Sequence, residues 1–209
     1  MILGAHCSIA GGFPEAAKAG KWIGCDAIQI FSRSPRMLRD TKPITEENAR
    51  LWRESLDACI ERADAPDVLL CIENTAGAGS AIGSKFEQIR AIIDRSKHPD
   101  RIATCFDTCH AFAAGYDIRT RPGYENVMAH VDEVLGLDRV AAFHMNDSKG
   151  DVRSHVDRHE HIGKGKLKKE AFRFLVNDPR FADRPAVLET PGEDRDFRRN
   201  LNVLRSLVA

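Results

Sequence analysis

A carboxylate and an imidazole three residues apart, where an apolar run gives out, are well placed to bind metal. Thr104-Cys-Phe-Asp-Thr-Cys-His110 has that form: a buried strand is expected to end at Asp107 and turn into a loop through His110. The pattern recurs. Gly4-Ala-His6, Gln29-Ile-Phe-Ser32, Ile72-Glu-Asn-Thr75, Phe143-His-Met-Asn-Asp147 and Leu188-Glu-Thr190 each close an apolar stretch. Five of these six strand ends set an ionisable residue directly behind it, at His6, Glu73, Asp107, His144 and Glu189. Taken singly, such residues are hydrogen-bonded surface groups. Several close carboxylates repel and their pKa values rise unless cations compensate, so convergence of these ends points to a polynuclear metal site. A set of unrelated loop residues is the alternative.

Asp157-Arg158-His159 lies in a polar loop between Gly150 and Gly163. Residues i and i+2 of an extended segment face the same way, so Asp157 and His159 can chelate one ion. The nearby histidines 155, 159 and 161 cannot all be ligands. Mixed imidazole and carboxylate ligands suit Zn²⁺, with Mn²⁺ or Fe²⁺ possible. Gly163-Lys-Gly-Lys-Leu-Lys-Lys169, Arg195–Arg199 and Ser32-Arg-Ser-Pro-Arg36 are basic. Each is a solvated face or an ordinary loop unless it holds phosphate. In Gly77-Ala-Gly-Ser-Ala-Ile-Gly83 the third glycine comes one position late for a dinucleotide loop, so a turn into a helix is expected.

Elements must bring these residues together. Strands are expected at Ile2–Cys7, Ala27–Ser32, Val68–Glu73, Ile102–Asp107, Val140–Asn146 and Ala186–Glu189. Helices are expected at Phe13–Ala19, Thr45–Glu61, Phe86–Asp94, Tyr124–Leu135, Lys168–Val176 and Phe197–Leu207. Strand–helix alternation implies a mostly parallel α/β sheet. The favoured architecture is a (β/α) barrel, with chemistry at the C-terminal strand ends; an open doubly wound sheet is the alternative. With 209 residues and no linker, one domain spanning 1–209 is expected. Zero net charge means a polyanion would need a local basic patch. No apolar run approaches the ~20 residues of a membrane span, and no leader is seen, so a cytoplasmic protein without membrane contact is expected. Six cysteines without a C-x-x-C pair read as reduced, buried thiols.

Gly4-Ala-His-Cys-Ser8 with Gly11-Gly12, Gln29-Ile-Phe-Ser-Arg-Ser-Pro-Arg36, Glu73-Asn-Thr-Ala-Gly77, Asp107-Thr-Cys-His-Ala-Phe-Ala-Ala-Gly-Tyr-Asp117, His144-Met-Asn-Asp-Ser-Lys149, Val156-Asp-Arg-His159 and Leu188-Glu-Thr-Pro191 run nearly end to end. In that order they resemble the endonuclease IV family, zinc-dependent apurinic/apyrimidinic endonucleases of DNA repair. The resemblance implies a TIM barrel with a trinuclear zinc cluster. It implies hydrolysis of the phosphodiester 5′ to an abasic site in duplex DNA, by zinc-activated hydroxide, leaving a 3′-hydroxyl and a 5′-deoxyribose phosphate. Carried over by motif, Glu73 bridges two metals; Asp107, His144 and Glu189 complete one of them. His110, Asp157 and His159 hold the third. Glu73 and Glu189 are the expected catalytic carboxylates. Arg36, Lys149 and Arg158 are the expected DNA contacts. No protein partner is identifiable.

The family has two further strand–helix units between the second strand and the Glu73 strand, each strand ending in a histidine ligand of the first metal. Here Ala65-Pro-Asp-Val-Leu-Leu-Cys-Ile-Glu73 follows the Thr45–Glu61 helix almost directly. Two units of a ~250-residue barrel amount to about 60 residues. The expectation is an incomplete TIM-barrel-like fold of about six strands holding two zinc ions. Closure around six strands, an open barrel and association with another chain are all compatible with this. Ala78 replaces the family's usual glutamine and Lys164 its frequent glutamate. Alternatives are a metal-binding, catalytically impaired remnant, and a related xylose isomerase-like sugar isomerase or epimerase.

Overall fold

In the computed structural model, residues 1–8, 10–30, 54, 56–62, 67–79 and 81–209 are described. Ile-Ala-Thr-Cys-Phe-Asp at 102–107 is buried at every position. A strand without an exposed face needs cover on both sides, as in a parallel sheet wrapped by helices. It is one of six strands in a parallel sheet: β1 (Ile2–His6), β2 (Ala27–Gln29), β3 (Leu70–Glu73), β4 (Ile102–Asp107), β5 (Val140–His144) and, after two short strands, β8 (Pro185–Leu188). The short strands β6 (Asp147–Ser148) and β7 (His159–Glu160) pair antiparallel as a separate hairpin. The helices are α1 (Phe13–Ile23), α2 (Phe86–Arg95), α3 (Thr108–Ala114), α4 (Arg121–Val134), α5 (Lys168–Val176) and α6 (Asp194–Arg205). Residues 56–62 are also helical.

The strand order is β2-β1-β8-β5-β4-β3. The first and last strands are therefore neighbours, as in a barrel, and the seam falls between β2 and β3. No ladder joins those two among the described residues. Side chains show that the sheet curls. In a flat sheet β2 and β5, three spacings apart, would be separated by roughly 14 Å. Yet Gln29 Oε1 lies 2.7 Å from His144 Nε2. From the opposite edge, Glu73 Oε1 reaches the same ring, 3.0 Å from Nδ1. The C-terminal ends of the strands thus converge on one point.

Aromatic packing supports that mouth from below. Phe143 on β5 contacts Phe106 on β4 at 6.0 Å between centroids and meets Phe181 edge-on at 4.8 Å. Gly4 is required where β1 meets β2, because a Cβ there would collide with the Ala27 carbonyl.

Three expectations change. The loop expected through His110 is helix α3, which starts directly behind the strand. Asp107 caps it by accepting a 2.7 Å hydrogen bond from the His110 N–H, and Gly115 ends it in the left-handed region. Cys59 and Cys71 are exposed and not buried; Cys71 lies on β3, at the sheet edge. β5 ends at His144, short of the expected Asn146, and of the strand expected at 27–32, positions 31 and 32 lie outside the described residues. All six cysteines are free.

Candidate metal centre

Each strand delivers its polar residue where pairing stops, so the side chains point into the barrel mouth. Two clusters result. In the first, donor atoms of Glu73 (β3), Asp107 (β4), His144 (β5) and Glu189 (behind β8) lie within 4.8 Å of one another. His144 Nδ1 is 3.0 Å from Glu73 Oε1, 3.2 Å from Glu189 Oε2 and 3.9 Å from Asp107 Oδ2. In the second, His110 of α3 meets Asp157 and His159 of the hairpin. His110 Nε2 is 3.1 Å from Asp157 Oδ1 and 3.4 Å from His159 Nε2. The carboxylate of Glu73 stands between the clusters, with its Oε1 also 3.1 Å from His110 Nδ1.

Outer partners turn the ring nitrogens. His110 Nδ1 faces the Asn74 carbonyl at 2.9 Å, and His159 Nδ1 faces the Glu189 carbonyl at 3.1 Å. A carbonyl only accepts, so each Nδ1 carries the hydrogen and each Nε2 presents its lone pair inward. Two imidazole Nε2 atoms and the Asp157 carboxylate then converge on one point. Histidine ligands held by a second hydrogen bond are the usual construction of metal sites.

Electrostatics lead the same way. The described ion partners of these four carboxylates are imidazoles. Without metal, protons stand in for cations. Burial opposes charging His110, but Asp107, Asp157 and Glu73 outweigh it and push the ring up to about 12. Burial likewise opposes charge on His144, and hydrogen bonds to Cys105 and Glu73 raise it to about 12. For Glu73 burial favours the neutral acid, yet hydrogen bonds from His110 and His144 hold it down at about 2. Glu189 moves up, chiefly through burial. Asp107, Cys109 and His159 also come within reach of one another. Burial pushes the Cys109 thiol up to about 12, so it does not offer a thiolate near neutral pH.

All seven residues expected as metal ligands are therefore drawn into these two clusters. His155 and His161 are not: His155 Nδ1 meets the Ala76 carbonyl at 3.0 Å, and His161 Nδ1 meets the Asn200 amide at 3.0 Å. Lys149 and Arg158 are exposed beside the second cluster, joined by a 3.0 Å bond from the Lys149 N–H to the Arg158 carbonyl. Arg36 lies outside the described residues. Sequence reasoning assigned no role to three amides. Gln29 bridges His144 and Glu189. Asn74 exchanges bonds with the Asp107 backbone at 2.8 and 3.1 Å. Asn146 donates to Asp107 Oδ2 at 2.7 Å and accepts from the Glu189 N–H at 2.8 Å. Their signal was position: each ends a strand or lies within two residues of a ligand that does.

A parallel barrel with imidazole and carboxylate clusters at its C-terminal mouth defines a class, and comparison with known proteins agrees. Residues 12–207 match the family described as xylose isomerase-like TIM barrel. A "Probable endonuclease 4" from Geobacter sulfurreducens is 38% identical over 279 positions, covering 99% of this chain and 94% of the relative. One from Chloroflexus aurantiacus is 36% identical, covering 98% and 97%. The crystal structure of endonuclease IV from Thermus thermophilus superposes with a TM-score of 0.81 at 27% identity, covering 99% and 98% of the two chains. A 3-keto-D-glucoside 4-epimerase from E. coli shares only the fold, with a TM-score of 0.53 at 16% identity. The chain belongs to the endonuclease IV family. Its 209 residues against an alignment of 279 positions leave at least 70 positions of the Geobacter relative without a counterpart.

Proposed function

We propose that this chain is a divalent-metal-dependent DNA repair endonuclease that hydrolyses the phosphodiester 5′ to an abasic site in duplex DNA. The observation that carries the reading is the pair of inward-facing imidazole and carboxylate clusters at the strand ends. Glu73, Asp107, His144 and Glu189 would hold one ion, and His110, Asp157 and His159 another. The nitrogen and oxygen donors suit Zn²⁺, with Mn²⁺ or Fe²⁺ as other occupants. When bound, such ions offset charge on a phosphate and make water a better nucleophile near neutral pH.

The chain's own residues supply the rest. Glu73 and Glu189 hold an attacking water by hydrogen bonds and take its proton as the new bond to phosphorus forms. The bond from phosphorus to the 3′-oxygen breaks, and that oxygen leaves as an alkoxide that takes a proton from water to become the 3′-hydroxyl. The other product keeps the 5′-phosphate on the base-free sugar. Lys149 and Arg158 contact backbone phosphates beside the cut, Arg36 contacts DNA at the lesion, and a nucleotide without its base is extruded at least cost.

The test is an abasic-site duplex incubated with zinc-loaded protein and with EDTA-treated protein. Incision 5′ to the lesion, lost with EDTA and regained with Zn²⁺, is expected. Tight duplex binding with no incision at any metal concentration would instead identify a metal-binding remnant without nuclease activity.

A further inference from the structure

We propose that Gln29 is a positioning residue for the metal centre. Its amide selects which nitrogen of His144 faces the carboxylates and ties Glu189 to the same point. The inference rests on the reading of that cluster as a metal site.

Gln29 ends β2, on the rim of the seam. Its backbone is fixed by pairing with His6 and by a 2.8 Å hydrogen bond from the Cys7 N–H to its carbonyl. Its side chain then crosses the mouth. The amide nitrogen lies 2.8 Å from Glu189 Oε1, and the amide oxygen lies 2.7 Å from His144 Nε2. Chemistry fixes the polarity of this bridge. An ionised carboxylate only accepts, so the NH₂ must face Glu189, and the amide oxygen must face the ring. That oxygen accepts, so His144 Nε2 must carry hydrogen. The Nδ1 lone pair is left for the point shared by Glu73, Asp107 and Glu189. The two contacts are one device: turning the amide over sets oxygen against carboxylate and NH₂ against N–H. A primary amide donates through its nitrogen and accepts through its oxygen at the same time.

Wild type, Gln29→Leu and Gln29→Glu are stripped of metal and titrated with Zn²⁺ against a chromophoric chelator. Histidine-labelled wild type is loaded with Cd²⁺ and examined by ¹⁵N and ¹¹³Cd NMR. Gln29→Leu should weaken one class of sites about 10- to 100-fold and spare the other. Gln29→Glu should lose affinity through repulsion of Glu189 while keeping the Nε2–H form of His144. In wild type, cadmium should couple to His144 Nδ1, with the proton on Nε2. Coupling to Nε2, or unchanged affinity in Gln29→Leu, overturns the proposal. If Gln29→Leu does not fold, the wild-type spectrum alone decides. A wild type that takes up neither ion overturns the metal reading itself, a result distinct from metal held through the wrong nitrogen.

Discussion

At the scale of single residues, the centre is a set of proton sites that metal must empty. Without metal, and against burial, Asp107, Asp157 and Glu73 favour the charged form of His110, and Cys105 and Glu73 that of His144. Metal must displace those protons. Calorimetric titration with Zn²⁺ at pH 7, in buffers of different ionisation enthalpy, should show about two protons released as both clusters fill. Heats that do not depend on the buffer would contradict the assignment. The same shifts set the pH range of the metal-free fold. Two rings raised from 6.5 toward about 12 stabilise the folded state fully below 6.5 and lose that contribution as pH climbs toward 12. Glu73, lowered from 4.5 to about 2, contributes above 4.5 and fails as pH falls toward 2. Melting temperatures of EDTA-treated protein should therefore fall on both sides of a broad optimum between about 4.5 and 6.5. A flat profile from pH 3 to 10 would remove these groups from the account. Of the clustered residues, Glu73, Asp107, His144 and Glu189 were legible in the sequence because each follows an apolar run, and Asp157 and His159 because of their alternate spacing in an extended segment. The amides that aim them were not, since Gln, Asn and Thr at strand ends also occur wherever a ladder stops.

At the scale of elements, one carboxylate serves two structures. Asp107 gives Oδ1 to the first turn of α3 and turns Oδ2 toward Asn146 and the cluster. Asp107→Ala should thus destabilise even the metal-free protein, by about 1 kcal/mol for the lost cap. Urea unfolding in EDTA measures this without any metal term; an unchanged midpoint would deny the cap its role. The cap also explains why a loop was expected where a helix stands. Thr108-Cys-His-Ala-Phe-Ala-Ala lacks an amphipathic stripe, because five of its seven residues are buried. A helix buried nearly all round has no periodicity to read. The β6–β7 hairpin escaped for a related reason: two-residue strands carry no alternation.

At the scale of the whole molecule, strand count and direction followed from the alternation of apolar runs and helical patterns, and the resemblance put the gap between the second strand and the Glu73 strand, where the seam lies; how the strand ends curl onto one imidazole needed coordinates. Two tightly held zinc ions per chain are expected by elemental analysis of purified protein; three would show that a first site survives without its histidines. Removing both should speed hydrogen exchange in β2 and β3, whose mouth-side ends meet on His144. Chain statistics give this seam a further meaning. Gln29 and Glu73 are 44 positions apart in sequence, and both hydrogen-bond to the His144 imidazole. The entropy of closing a flexible connection grows only as the logarithm of its length. Restoring two units of about 60 residues in all would lengthen it to roughly 100 positions and change that term by only about 0.7 kcal/mol. The short connection therefore closes on nearly the same entropic terms as a long one. Among the described residues, what distinguishes this barrel from a full one is the ladder bonds and ligands across the seam, not the length of the connection.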